Sequence, residues 1–172
     1  MKSKLESRLK YLFTGERFAL ILFIPLSYLI NFTYPYLQLY TLYSFWISFF
    51  LLEFILIQGT YYWYAKWKGL ITENKSVTPI ETVRILRKAK VINVVIIIFS
   101  IILFVIDIVV NYPDLPIGGL LISVFIFIFA ILEFINYFYI QLSYDNLSDI
   151  RYLIKTKKFK RSCLSKDFKR IG

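Results

Sequence analysis

The chain of 172 residues contains no histidine, one cysteine, and 11 acidic residues against 21 Lys and Arg. Without histidine there is no bis-His haem ligation and no His-based metal or acid–base site. The lone Cys163 closes no intramolecular disulfide and forms no dithiol redox pair. The six glycines are mostly scattered, and they build neither a phosphate-binding loop nor a nucleophile elbow. The expectation is therefore a non-enzyme with no cofactor and no metal. Charge is missing over a long stretch as well: Phe18 to Leu52 holds no Asp, Glu, Lys or Arg. With 58% hydrophobic residues, against roughly 45–50% in an average soluble domain, this is not a soluble globular sequence. Disorder is excluded too, because it needs low hydrophobicity.

What is present is an all-α, polytopic membrane pattern. About 20 apolar residues of helix cross the hydrocarbon core. Four segments satisfy this: Phe18–Leu37, Tyr40–Tyr64, Val91–Asn111 and Ile117–Gln141. Pro35 marks the turn between the first two, and Asn111-Tyr-Pro-Asp-Leu-Pro116 separates the last two. The expected organisation is a cytoplasmic amphipathic segment (1–17), a first transmembrane hairpin (18–64), and a cytoplasmic loop with an amphipathic helix (65–90). A second hairpin (91–141) and a basic cytoplasmic tail (142–172) follow. All 21 basic residues fall before the first span, between spans two and three, or after span four. By the positive-inside rule both termini and the central loop are cytoplasmic, in the cell (inner) membrane. A cleaved signal peptide is rejected, since the apolar stretch is too long and no small-x-small site follows it.

The halves look duplicated. Leu52-Glu-Phe-Ile55 recurs as Leu132-Glu-Phe-Ile135, Asn31 aligns with Asn111, and Tyr64 with Tyr144. Ser3-x-x-Glu6 and Thr78-Pro-Ile-Glu81 read as capping boxes opening the two units. The result is two tandem helical hairpins with basic amphipathic flanking helices. Ile80, Val83 and Leu86 form an apolar stripe beside Arg84, Arg87 and Lys88. Leu147, Ile150 and Ile154 do the same beside Arg151, Lys155 and Lys158, and Leu164, Phe168 and Ile171 continue it. Such helices lie at the membrane surface, so these six cations are expected to contact anionic headgroups. The net charge of +10 is then a membrane feature, and no nucleic-acid partner is called for. Tyr61, Tyr62, Trp63, Tyr64, Trp67, Tyr137, Tyr139 and Tyr144 form an aromatic belt at the inner interface.

The chemistry-bearing residues are three carboxylates inside the spans: Glu53, Asp107 and Glu133. A charge at the bilayer centre costs at least ~2.5–3.5 kcal/mol, and no Lys or Arg lies in a span to pair with them. Helical phase gathers polar partners around them. Asn93, Ser100 and Asp107 repeat every two turns, with Asn111 beyond; Gly119, Ser123, Ala130 and Glu133 share a face that Asn136 extends. Ser27 and Asn31 do so in span one, and Glu53, Ile57, Thr60 and Tyr64 in span two. The simplest packing turns all four faces inward. Glu53, Glu133, Asp107, Asn31, Asn111, Asn93, Ser100 and Asn136 are then either a buried polar network or a proton- or cation-handling path. Two function classes follow. The first is an accessory, stress or immunity-type protein that binds another membrane protein or protects the bilayer, with a homo-oligomer or another membrane protein as the expected partner. The alternative is a proton or cation transporter. The accessory role ranks slightly ahead, because hydrogen-bonded carboxylic acids have a simple structural explanation.

Overall fold

The computed structural model describes residues 2–74, 77–142, 147–157 and 159–171, and among them the chain is helical with no strand. Lys75, Tyr144 and Lys158, and the side chains of Leu147 and Ile150, lie outside what is described. The helices are α1 (Lys2–Thr33), α2 (Tyr43–Thr72), α3 (Ile80–Val110), α4 (Ile117–Phe138), α5 (Leu147–Thr156) and α6 (Cys163–Ile171). Two single 3-10 turns, Pro35–Leu37 and Leu39–Thr41, join α1 to α2. Four helices, α1 to α4, are long and apolar enough to cross a membrane.

The basic segments before spans one and three, expected to lie apart from them, are continuous with the spanning helices, whereas the basic tail forms the separate α5 and α6. α1 runs unbroken from Lys2 and α3 from Ile80, because Lys, Arg, Glu and Leu are good helix formers and no proline intervenes before Pro25 or after Pro79. Neither capping box forms. Ser3 lies inside α1, and α3 starts after Pro79 with no side-chain cap, since the Thr78 hydroxyl is engaged elsewhere. Within the expected stripe of α3, Val83 and Leu86 are buried but Ile80 is exposed; the buried face follows Thr82, Val83, Leu86, Ala89 and Asn93 instead.

α2 is the axis of the molecule. It packs against α1, α3 and α4, whereas α3 and α4 touch each other sparsely, for example at the Phe104–Phe127 ring pair (5.5 Å). Half of the apolar stretch of α2 is buried, against none of that of α1, 17% for α3 and 22% for α4. Gly119 of α4 lies against Leu37 and Leu42 at the start of α2, and Gly59 further along α2 lies against Tyr137 near the end of α4. The two helices therefore run parallel. Asn93 meets Gln58, and Asp107 meets Tyr43 and Ser44, so α3 runs antiparallel to α2.

The main core joins Leu51, Leu52, Ile55, Leu56 and Tyr62 of α2 to Leu86, Ala130, Phe134, Tyr137, Phe138 and Leu164. A smaller cluster of Leu37, Leu39, Leu42 and Phe45 closes the opposite end. The outward faces of α1 and α3 are apolar: Ile21, Ile24, Leu29, Ile98, Ile102 and Val105 are all exposed. Such a surface is consistent with a multi-pass membrane protein.

The close approaches predict a graded glycine series. A Cβ at Gly119 meets the Leu37 carbonyl, which belongs to the backbone and cannot swing away; one at Gly59 meets the far end of the Tyr137 ring, which can. Gly119→Ala is expected to destabilise by about 1–3 kcal/mol and Gly59→Ala by less. Gly15 has nothing within 4 Å, so Gly15→Ala should be neutral or stabilising by up to ~1 kcal/mol through helix propensity. Thermal unfolding in mild detergent checks the order.

Candidate functional site

The polar residues of the spans do not form one network. They form separate clasps, most of them on α2. The first lies at its start. Leu42 precedes α2 and offers no side-chain acceptor for the orphan N–H groups of the first turn. Asp107 of α3 supplies it: Oδ1 accepts the Tyr43 N–H at 3.1 Å and Oδ2 the Ser44 N–H at 2.6 Å, with the side chain fully buried. A carboxylate there also complements the positive end of the helix dipole. Asn111, one turn on, donates its Nδ2 to the Asp107 carbonyl at 2.8 Å.

The second clasp is a reciprocal amide pair. Gln58 Nε2 donates to Asn93 Oδ1 at 3.0 Å, and Asn93 Nδ2 donates to Gln58 Oε1 at 2.9 Å. Both are buried. Ser100, on the same face of α3, donates to its own Ile96 carbonyl at 2.8 Å, and Ser123 of α4 to that of Gly119 at 2.9 Å. Both hydroxyls return to the backbone of their own helix, so neither links two helices.

The two glutamates stand differently. Glu133 is half-buried and accepts from Asn136 Nδ2 at 3.3 Å, while Asn136 Oδ1 accepts the Leu142 N–H at 2.8 Å. Glu53 is half-buried, and its Oε1 is shielded with no hydrogen-bond partner. The face it shares with Ile57 and Tyr64 does not turn inward as expected. Ile57 is 51% exposed, because the bulky apolar face through Leu52, Ile55, Leu56 and Tyr62 takes the packing against α3 and α4. Asn31 is half-buried on α1, which lies at the periphery.

At the basic end the C-terminal segment closes over the bundle. The chain returns through an isolated antiparallel bridge between Ile140 and Arg161. Leu164 of α6 is buried in the main core, and Phe168 packs against Phe138. Asp167 is the hub. Its Oδ2 accepts the Tyr62 hydroxyl at 2.8 Å and the Thr78 hydroxyl at 2.7 Å, and its Oδ1 pairs with Arg170 at 3.2 Å. Arg170 also donates to the Thr78 carbonyl at 2.6 Å, and Arg87 to the Phe168 carbonyl at 2.7 Å. The stripe of Leu164 and Phe168, expected to meet lipid, therefore meets protein. Of the expected belt, Tyr61, Tyr64 and Tyr139 are exposed, but Tyr62 and Tyr137 are core residues. Among the cations expected at headgroups, Arg84, Lys88, Arg151 and Lys155 are exposed, and Arg87 holds α6.

Between α1, α2, α4 and this closing segment lies a cavity of about 240 Å³. Its lining includes Glu16, which falls in the segment 1–17 expected to lie outside the spans. Glu16 faces the Tyr137 hydroxyl, with Glu133 nearby. The phase of α1 carries the signal that was missed: Leu9, Leu12, Glu16, Leu20 and Phe23 follow one helical face, and it is the face turned to the protein. Among the described residues no group of three or more His, Cys, Asp or Glu is placed to hold a metal ion. No protein-family model, curated protein or solved structure matches the chain.

The cap geometry gives a direct test. Asp107→Ala leaves two N–H groups unpaired in a buried place and should cost about 1–3 kcal/mol, whereas Asp107→Asn keeps one acceptor oxygen and should cost less. Denaturant titration in detergent micelles measures both.

Proposed function

We propose that this chain is a multi-pass protein of the cell (inner) membrane, built as two tandem hairpins related by an ancient duplication. Both termini and the central loop face the cytoplasm. Its role is that of an accessory, stress or immunity-type protein that binds another membrane protein or a second copy of itself, and it is not an enzyme. The observation that carries the accessory reading is the solid axis. α2 occupies the line along which a path through a four-helix bundle would run, and it is packed there by apolar side chains of α1, α3 and α4 and clasped to α3 by an amide pair and a carboxylate. Asp107, one of three candidate conducting acids, is committed to backbone N–H groups. The parallel course of α2 and α4, each with a half-buried glutamate in the repeated Leu-Glu-Phe-Ile, supports the duplication. The exposed Arg84, Lys88, Arg151 and Lys155 are the cations assigned to anionic headgroups, each contributing about 1 kcal/mol.

A second reading has two observations in its favour. Glu53 keeps a shielded oxygen without a partner, and Glu16 and Glu133 lie near each other, so a proton- or cation-handling route along α1, α2 and α4 is the alternative. Liposomes containing wild-type protein are compared with the Glu53→Gln/Glu133→Gln variant for proton and monovalent-cation flux. The accessory reading expects both to match empty vesicles. Flux that disappears in the variant overturns it in favour of transport.

Orientation has its own test. Cys163 is exposed and is the chain's sole thiol. A membrane-impermeant maleimide should label it in inside-out vesicles and leave it unlabelled in right-side-out ones; the reverse pattern inverts the topology.

A further inference from the structure

We propose that the open face of α2 seats a second copy of this chain, the two α2 helices lying side by side about a two-fold axis along the membrane normal with their Glu53 carboxyls hydrogen-bonded to each other. α3 covers α2 at Ser44 and Gln58, α4 covers it at Gly59, and α1 covers it at Trp67 through Phe13. Among the described residues, one side of α2 is left bare. Tyr43, Trp46, Phe50, Ile57 and Tyr64 are between 38% and 56% exposed. Glu53 and Thr60 complete their row, at spacings that alternate between three and four residues. That is the heptad spacing by which two helices stay in contact while winding about each other. From Tyr43 to Tyr64 the row covers roughly 32 Å at 1.5 Å per residue, the whole hydrocarbon thickness.

Apolar exposure alone would suit lipid, but the two polar members of the row do not. Glu53 is half-buried, and its Oε1 is shielded with no hydrogen-bond partner. The Thr60 hydroxyl is shielded and equally unmatched, although a helical threonine can return its hydroxyl to the carbonyl four residues back. The corresponding acid of the repeat, Glu133, has Asn136 at 3.3 Å on its own helix. Glu53 Oε1 has no such neighbour, and the row contains no Lys or Arg to pair with it. Acyl chains carry no hydrogen-bonding group, so whatever completes Glu53 brings a donor and an acceptor to that depth. A neutral carboxyl is both, and is therefore its own complement. A second copy inserted in the same direction carries that group to the same depth, and the two-fold sets each position of the row on itself. The last torsion of a glutamate is broad, so either oxygen can turn to the open side. Glu53 stands at the middle of the row, with Trp46 and Phe50 on one side of the pair and Ile57 and Tyr64 on the other to exclude competing groups.

The proposal deepens the accessory reading by naming a second copy as its partner, and it rests on that reading's placement of the helices in a membrane. Association is read apart from flux, so either can fail alone: a monomer removes the dimer and leaves the accessory reading, whereas carboxylate-dependent flux removes that reading and leaves the cross-link unmoved. In a Cys163→Ser background, which lacks any native thiol, Phe50→Cys and Ile57→Cys are compared with Ile98→Cys on the outward face of α3. Each is reconstituted at low density in liposomes and oxidised. Phe50→Cys and Ile57→Cys should give disulfide-linked dimers and Ile98→Cys should stay monomeric. Energy transfer between native-sequence copies labelled at the exposed Cys163 then gives the association constant as lipid is added. Glu53→Leu should weaken it about tenfold, the worth of two interhelical hydrogen bonds of average strength. Glu53→Gln still donates and accepts and should stay near wild type. Wild type that remains monomeric at every dilution overturns the proposal and gives the face to lipid, and that arm needs no variant to fold. Cross-linking at Ile98→Cys in place of Phe50→Cys and Ile57→Cys overturns the face. A Glu53→Leu protein that associates as tightly as wild type overturns the carboxyl pair. In native membranes, an Ile57→Cys product joined to a different protein overturns the second copy as occupant.

Discussion

A backbone N–H that reaches hydrocarbon without a partner costs several kcal/mol, and every helix begins with four of them. α2 begins with apolar and aromatic residues, so its own sequence offers no remedy. The remedy comes from Asp107, 63 residues later, which takes the Ser44 N–H, and the Tyr43 N–H beside it, onto one carboxylate. This contact fixes where α2 starts and the depth at which α3 sits beside it. It also makes a membrane carboxylate structurally necessary. The Gln58–Asn93 pair holds the same two helices in register further along. Interhelical hydrogen bonds in bilayers are worth only about 0.6 kcal/mol on average, so their value here lies in specifying register more than in adding stability.

With α2 and α3 registered, the remaining helices are placed by close approach. Lipid tails are as apolar as leucine, so helices associate where small residues let backbones meet. Gly119 lets α4 reach the turn before α2, and Gly59 admits the Tyr137 ring. α1 gains least from such contacts. It lies along α2 through one face, with Leu20 and Phe23 against the main core, Phe13 against Tyr64 and Trp67, and Ser27 at 3.4 Å from the Tyr40 hydroxyl. The rest of its apolar stretch faces outward, and Glu16, on the same inward face as Leu20 and Phe23, is the polar element it brings to the cavity.

Much of this was legible before any coordinates. Length and hydropathy suffice for four apolar helices, because the width of a bilayer is a fixed ruler. The two-turn repeat of Asn93, Ser100 and Asp107 marks a face that is fully buried. Partners were not legible. Nothing in the phase of α3 says that Asp107 serves the backbone of α2, and Gln58 stood unremarked because a single amide carries no pattern. The face of Glu53 was misjudged for a related reason: phase groups residues on one side of a helix, but only the competing bulk of the other sides decides which one turns inward. Glu16 was passed over because it falls in the segment 1–17 set outside the first span, although the helix runs through it unbroken. The tail was misjudged because an amphipathic stripe of Leu164 and Phe168 fits a protein groove as well as it fits a membrane.

The docking of α6 has a consequence for how the molecule is made. Tyr62 and Asp167 are separated by 105 residues, and Leu164 belongs to the same core as Leu51 and Ile55. Spanning helices enter the bilayer one after another as they are synthesised, but this core stays open until the final segment arrives. Until then the basic end presents an unfilled apolar site and an unpaired phenol. Closure of the core thus waits on α6, and a chain cut before Leu164 leaves that end of α2 uncovered.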